Sequence, residues 1–226
     1  RRATPARRPG GRPGMIRILI VDDHMIIRRG LRQILSENPA IGAIAEAEDG
    51  PTTLRQLRTA PVDVVLLDIA LGERDGLDLL KTLHAEFPRV AVIMLSVYPE
   101  NQFALRALRS GAHAYLNKGC SPDILYAAIA KVASGGLYIT PAVAELLAHD
   151  VRGNAAAEKP PHETLSNREF QVLQLLAQGR SVTQIAQKLA LSANTISTYR
   201  ARVFEKLGLH NPADLFAYAA RHGLTR

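Results

Sequence analysis

The 226-residue chain has very little cysteine: Cys120 is the only one. That excludes an intramolecular disulfide framework and the usual cysteine-rich zinc patterns, and it fits a reducing cytosol, so a cytoplasmic protein is expected. Long apolar runs are missing too, and none is long enough for a membrane span. Residues 1–14, RRATPARRPGGRPG, lack both an acid and the apolar core of a secretory signal. Their Pro/Gly/Arg composition predicts disorder. Because MIRILIVDDH reads like a natural start at Met15, this stretch is expected to be a tag remnant or a basic extension, with a nucleic-acid-binding arm as the alternative. No internal repeat is visible.

What remains is globular in composition, at 47% hydrophobic and 22% charged residues. The net charge of +7 is unevenly placed. Residues 15–136 sum to −1, residues 137–162 to −1 and residues 163–226 to +4, so basicity gathers at the two ends. A polyanionic partner is therefore sought at the C-terminal end rather than in the middle.

From Met15 onward, apolar runs alternate with amphipathic stretches. The runs IRILIV (16–21), AIGAIAE (40–46), VDVVLL (62–67), VAVIML (90–95) and HAYL (113–116) predict five strands. Helices are expected near 24–37, 51–59, 76–86, 100–110 and 121–134. Five β/α units in this length imply an α/β doubly wound five-stranded parallel sheet, with ligands at the carboxyl ends of the strands. A short helix is expected at 141–148 inside a linker, 137–162, whose Gly/Ala/Pro-rich stretch runs from 150. Past it the strands stop, and 165–222 reads as four helices.

The carboxyl ends of those strands carry chemistry. Asp22 and Asp23 follow the first strand, Asp68 ends the third, Ser96 the fourth, and Lys118 lies just past the fifth. Converging carboxylates cannot all stay ionised unless a cation sits among them, and hard Mg²⁺ suits oxygen ligands. A lysine and a hydroxyl aimed at the same point match a phosphoryl group, and aspartate can itself accept one. The residues thus point to Mg²⁺-dependent phosphorylation of Asp68. An aspartate-nucleophile phosphatase is the enzymatic rival, but Ala70 stands where it would place a second acid.

With these residues in place, 15–136 resembles a receiver domain of bacterial two-component response regulators. The resemblance implies Asp68 as phosphoacceptor and a metal site of Asp22, Asp23, Asp68 and the Ala70 carbonyl. Ser96 and Tyr115 match the switch pair, and Lys118 the phosphate-pairing lysine. On phosphorylation Ser96 is expected to move inward and Tyr115 to follow. Gly72 stands where the family usually has proline, which should loosen that loop.

The C-terminal segment has its own logic. Gly179 closes one helix, Ser181 opens the next, Ser192 caps a third over about 194–207, and Gly208 ends it. Two short helices around a tight turn make a helix-turn-helix. Ile196, Tyr199, Val203 and Leu207 share a core-facing stripe. Asn194, Thr198 and Ala201 lie opposite, flanked by Ser197 and Arg202, while Arg200, Arg202 and Lys206 can reach phosphates. LSNRE, Ile185-Ala186, Ser192/Thr195 and KLGL resemble the LuxR-type DNA-binding domain across 164–224. Ser181, Thr183, Thr195 and Tyr199 then join the expected DNA contacts, although Val182-Thr183, Ser197 and Tyr199 depart from the commonest residues.

Together the two resemblances imply a DNA-binding regulator of the NarL/FixJ type, not an enzyme. Its implied partners are a sensor histidine kinase, double-stranded DNA, a second copy of the chain and, as a candidate contact, RNA polymerase. An adaptor acting through protein contacts alone is the remaining rival.

Overall fold

The computed structural model describes residues 14–71, 74–153, 161–189 and 191–224. The basic N-terminal stretch and Gly72 fall outside the described residues, apart from Gly14.

Five strands form the parallel sheet: β1 (Ile16–Val21), β2 (Ile41–Ala47), β3 (Val64–Asp68), β6 (Ala91–Ser96) and β7 (Ala114–Asn117). Their spatial order is β2-β1-β3-β6-β7, so the chain direction across the sheet reverses beside β1, between it and β3. All neighbouring pairs run parallel. The period-two alternation sends one set of side chains to each face. Leu19, Val21, Val65, Leu67, Val92 and Met94 pack with Leu57 of α2 (Gly50–Thr59), with Leu77, Leu80 and Leu83 of α3 (Gly76–Glu86), and with Phe103 and Ala107 of α4 (Glu100–Arg109). Ile18, Ile20, Val64, Leu66, Ile93 and Leu95 pack with Leu35 of α1 (Met25–Ser36) and with Leu125, Ile129 and Val132 of α5 (Pro122–Ala133). A sheet buried on both faces has this near-continuous apolar reading.

Three features depart from the pattern expected of the sequence. A two-residue antiparallel pair, β4 (Ala70–Leu71) with β5 (Arg74–Asp75), folds the segment after Asp68 back on itself. The helix expected at 141–148 continues as α6 (Pro141–Gly153), into the stretch read as linker from 150. It is held there because Arg109 of α4 donates to both carboxylate oxygens of Asp150, at 2.7 and 2.8 Å. At the other end Thr140 donates to Glu100 at 2.6 Å. A 3₁₀ turn at Pro161–Thr164 then leads into the C-terminal helices.

Those are α7 (Asn167–Ala177), α8 (Val182–Leu189), α9 (Ala193–Leu207) and α10 (Pro212–Arg221). Ser166 and Glu169 cap α7 reciprocally, and Asn211 and Asp214 do the same for α10. Gly179 and Gly208 take φ of 77° and 62°, the left-handed positions that end α7 and α9. Val172 and Leu175 of α7 enclose a small core with Ile185, Leu189 and Ile196. Among the described residues no helix is long and apolar enough to cross a membrane.

One contact on the edge of the sheet makes folding sensitive to acid. His113, just before β7, donates its N–H to Val92 O at 2.8 Å. Its Nδ1 accepts the Val92 N–H at 3.2 Å. Burial, with His84 nearby, holds this imidazole below the usual histidine range. A base depressed in the folded state gives stability that is complete above its unfolded pKa, about 6.5, and is lost as pH falls below it. Urea unfolding between pH 7 and 5 should show that decline, and His113→Asn, which keeps an acceptor without the proton site, should flatten it.

Candidate phosphoryl and DNA sites

The first strand delivers Asp22 straight off Val21 into a nearly closed position, its side chain only 2% exposed. Asp68, at the end of β3, is 3% exposed. Two buried carboxylates need a cation, and Lys118 reaches across from the end of β7. Its Nζ lies 2.6 Å from Asp22 Oδ2 and 3.0 Å from Asp68 Oδ2. Burial works against the ammonium, but Asp68 and Asp22 raise its pKa above the ordinary lysine value. The same lysine does not fully compensate Asp68. Burial pushes that carboxyl above its usual range, Lys118 opposes this and Asp22 adds to it. One ammonium shared between two carboxylates leaves an excess of negative charge at the strand ends.

Asp23 stands at the rim, with 31% of its side chain exposed, and His24 beside it is 65% exposed. One donor atom from each of Asp22, Asp23, His24 and Asp68 lies within 4.8 Å of the others. His24 was not legible as a member of this group. The N–H of Ala70 donates to the Asp68 carboxylate, turning this residue toward the site. Gly76 is a second member the sequence did not announce. A Cβ there would sit 2.0 Å from the Asp68 carbonyl oxygen, and the Gly76 N–H donates to Ile69 O at 3.0 Å. Only glycine lets α3 begin that close to the Asp68 backbone.

Ser96 is fully buried one residue beyond Leu95, the strand partner of Asp68. Its Oγ accepts the Tyr98 N–H at 3.0 Å. The expected swing of Tyr115 meets a ring already inside: it is 1% exposed, and its hydroxyl donates to Tyr98 O at 3.2 Å. In this conformation the phenol already has a buried acceptor.

The helix-turn-helix is α8 and α9. Ile196 and Val203 are buried, with Tyr199 and Leu207 half-buried beside them, whereas Thr183, Asn194, Ser197, Thr198, Arg200, Ala201 and Arg202 are exposed. Several expected DNA contacts also have structural duties. Ser181 Oγ accepts the Gln184 N–H, and Thr195 donates its N–H to the Ser192 cap at 3.0 Å. Thr198 donates its hydroxyl to Asn194 O at 3.0 Å. Lys206, expected on phosphates, lies 2.7 Å from the buried Glu169 carboxylate with its side chain still 41% exposed. The same carboxylate accepts the Ser166 N–H at 2.7 Å, closing the cap of α7.

The two halves pack against each other. Arg106 of α4 donates to Leu165 O at 3.0 Å and to His162 O, with its guanidinium 4.1 Å from the centre of the Phe170 ring. Phe103 meets Phe170 edge-on at 5.5 Å, and Tyr98 lies 5.3 Å from Phe103. Tyr199 and Arg202 of α9 share a cleft with Leu54, Leu71 and Leu79 from the sheet half. Part of the expected DNA-reading helix therefore faces the protein itself. No sequence pattern distinguished Phe103, Arg106 and Phe170 from ordinary core and surface residues.

Comparison with known proteins supplies the family. A model of the response regulator receiver domain matches residues 18–130, and one of the luxR family of bacterial regulatory proteins matches 163–219. The chain belongs to the two-component response regulators. Its type is NarL/FixJ, a DNA-binding transcriptional regulator and not an enzyme. The response regulator UvrY of Escherichia coli strain K12 is 36% identical over 210 residues, 93% of this chain and 96% of its own length. The transcriptional regulatory protein UhpA of the same strain is 40% identical over 202 residues, covering 89% and 96%. A solved structure of two RcsB dimers bound to two parallel DNAs has a TM-score of 0.55 and 28% identity, covering 91% of this chain and 98% of that one.

The close approach at Gly76 of this response regulator is testable against Gly50, which also starts a helix but whose Cβ would meet its nearest neighbour at 3.6 Å. Both changes to alanine share any gain in helix propensity. Gly76→Ala should cost about 1–3 kcal/mol by overpacking, whereas Gly50→Ala should fall within about 0.5 kcal/mol of the parent in denaturant unfolding.

Proposed function

We propose that Asp68 accepts a phosphoryl group from the phosphohistidine of a partner sensor kinase, and that its phosphorylation frees the DNA-binding half for paired sites on DNA. The observation that carries this reading is the shared lysine. Lys118 pairs with both buried carboxylates, and Asp23 and His24 add further groups at the rim. Asp22, Asp23, Asp68 and the Ala70 carbonyl fit a hard divalent cation, and Mg²⁺ would be held by them. When bound, such an ion supplies charge neutralisation at the phosphoryl oxygens.

This chain's own residues do the rest. An Asp68 carboxylate oxygen forms the new P–O bond as the P–N bond to the kinase imidazole breaks. Lys118 pairs with one phosphoryl oxygen, and Ser96 turns its hydroxyl toward another. That turn withdraws Ser96 Oγ from the Tyr98 N–H. Tyr98 is the hinge of the response: its N–H is held by Ser96 Oγ, and its ring lies 5.3 Å from Phe103, which meets Phe170 of the other half edge-on. Its displacement loosens Phe103 against Phe170, and the packing that holds α9 over the sheet half opens. We assign 15–136 to phosphoryl reception, 137–162 to linkage and 163–226 to DNA binding. Thr183, Asn194, Ser197, Thr198 and Arg200 would face the groove first, with Ser181, Thr195, Ala201 and Lys206 at its edge, and Tyr199 and Arg202 after opening. RcsB dimers on DNA make a homodimer on two half-sites the natural output, with RNA polymerase as a further contact, in a cytoplasmic setting.

A small acyl phosphodonor with Mg²⁺ should add the mass of one phosphoryl group to the parent and none to Asp68→Asn; equal labelling of both would remove Asp68 as acceptor. Arg106→Ala cuts two hydrogen bonds and the ring contact to the DNA-binding half. Unphosphorylated Arg106→Ala should bind a single half-site roughly tenfold more tightly than the unphosphorylated parent, equivalent to about 1.4 kcal/mol. No change would mean that the interdomain packing does not restrain α9.

A further inference from the structure

We infer that the DNA-binding half carries a ligand site of its own, a cleft between α8, α9 and α10 that takes a small aromatic carboxylate and holds it in competition with DNA. The site stands apart from Asp68 and the carboxylates around it. Only the competition rests on reading α9 as the DNA-facing helix.

The hollow arises from side-chain size along one stripe of α9. Ser197, Arg200, Ala201 and Phe204 recur at helical spacing, so they share a face beside the stripe that packs into the core. Ser197 and Ala201 are too small to fill the space between this face and the starts of α8 and α10. What remains is a cleft of about 480 Å³, within the range of small-molecule sites. Its floor is apolar, built from Leu176, Val182, Phe204 and Leu215. Phe216 walls one side and is 44% exposed, an aromatic ring left facing water.

The rim carries one sign of charge. Arg180, Arg200 and His210 line it, and among the described residues no acid does. Neither arginine side chain has an ion-pair or hydrogen-bond partner among the described residues. The helix starts that border the cleft are already capped. Ser181 Oγ accepts the Gln184 N–H, and Asp214 Oδ2 accepts the N–H groups of His210 and Asn211. The capacity left over at the rim is therefore cationic.

A flat acid meets both demands. A guanidinium pairs with a carboxylate through two parallel N–H donors and also stacks on aromatic faces. Phe204, Phe216 and the His210 ring suit an aromatic body, which can lie offset against them or meet them edge-on. Phosphates of a duplex would satisfy the arginines and leave the apolar floor bare. An occupant would neutralise Arg200 and block Ser197 and Ala201, all three of them expected DNA contacts, so ligand and duplex exclude each other.

The probe is naphthoate, titrated calorimetrically into the full chain beside naphthylmethanol and naphthylmethylammonium, which keep the rings and change the head. The parent should bind one naphthoate, roughly tenfold or more tighter than either analogue. Arg180→Gln combined with Arg200→Gln should weaken naphthoate about tenfold, and Phe216→Ala about threefold. All three positions are exposed, and unchanged urea unfolding would certify the fold of the variants. At fixed salt, random-sequence duplex should bind about tenfold more weakly in saturating naphthoate and as before with either analogue. No binding by the parent, equal affinity for the three heads, or binding untouched by the substitutions overturns the site. Parent dimers that ignore naphthoate and dissociate in Phe216→Ala overturn it too, and give the cleft to a second copy of the chain. Naphthoate binding with unaltered duplex affinity upholds the site and overturns the competition. A chain that takes naphthoate but binds no duplex overturns the reading of α9 and upholds the site.

Discussion

One ammonium serving two buried carboxylates is the constraint on which this structure turns. Lys118 reaches Asp22 and Asp68 from the opposite side of the sheet centre, and each of the three groups is placed by the end of a different strand. Burying two acids with one cation is costly unless a further positive group completes the set. The parallel sheet makes this possible, since strand ends on either side of the reversal beside β1 open onto a common crevice. The cost is also what makes the site reactive. A carboxyl held above its usual pKa by burial, next to a lysine and a buried hydroxyl, is arranged for a charged group that is not part of the chain.

The consequence extends outward because the site is not mechanically isolated. Ser96, Tyr98 and Tyr115 are linked by hydrogen bonds, and the Tyr98 ring leans on Phe103, which meets Phe170 edge-on. Arg106 holds two carbonyls and a ring of the C-terminal half at once. Side α6 adds a brace, fastened to α4 at both ends through Thr140 and Asp150. Helix α4 is therefore the shared wall of the two halves. A small displacement at Tyr98 acts on a packed interface, which responds by repacking rather than by gradual deformation.

Much of this was legible in the residues, and the reason is local. The strand runs are β-branched and apolar on both faces, so IRILIV could hardly be read otherwise, and β1 begins and ends where expected. Chemically active side chains sat at the ends of those runs, where the fold brings strand ends together. The C-terminal helices were announced by Ser caps and by Gly179 and Gly208. What escaped notice depends on long-range contact. Asp150 extends α6 only because Arg109 is there to meet it. Phe170 looks like any core residue until Phe103 and Arg106 lie on it. The ion pair of Lys206 with the buried Glu169 is invisible until α7 and α9 are packed together. Gly76 carries no visible signal, since its need for no side chain arises from the Asp68 carbonyl above it.

The central claim is that charge at Asp68 governs whether α9 stays folded over the sheet half, and one distance tests it most directly. Spin labels at Lys81 on α3 and Glu205 on α9, both exposed, can be placed in a Cys120→Ser background and their separation measured by double electron–electron resonance. The account predicts a narrow, short distribution in the unphosphorylated protein. It should become longer and broader with phosphodonor and Mg²⁺, and stay short in Asp68→Asn under the same conditions. The same distribution with and without the phosphoryl group would contradict it.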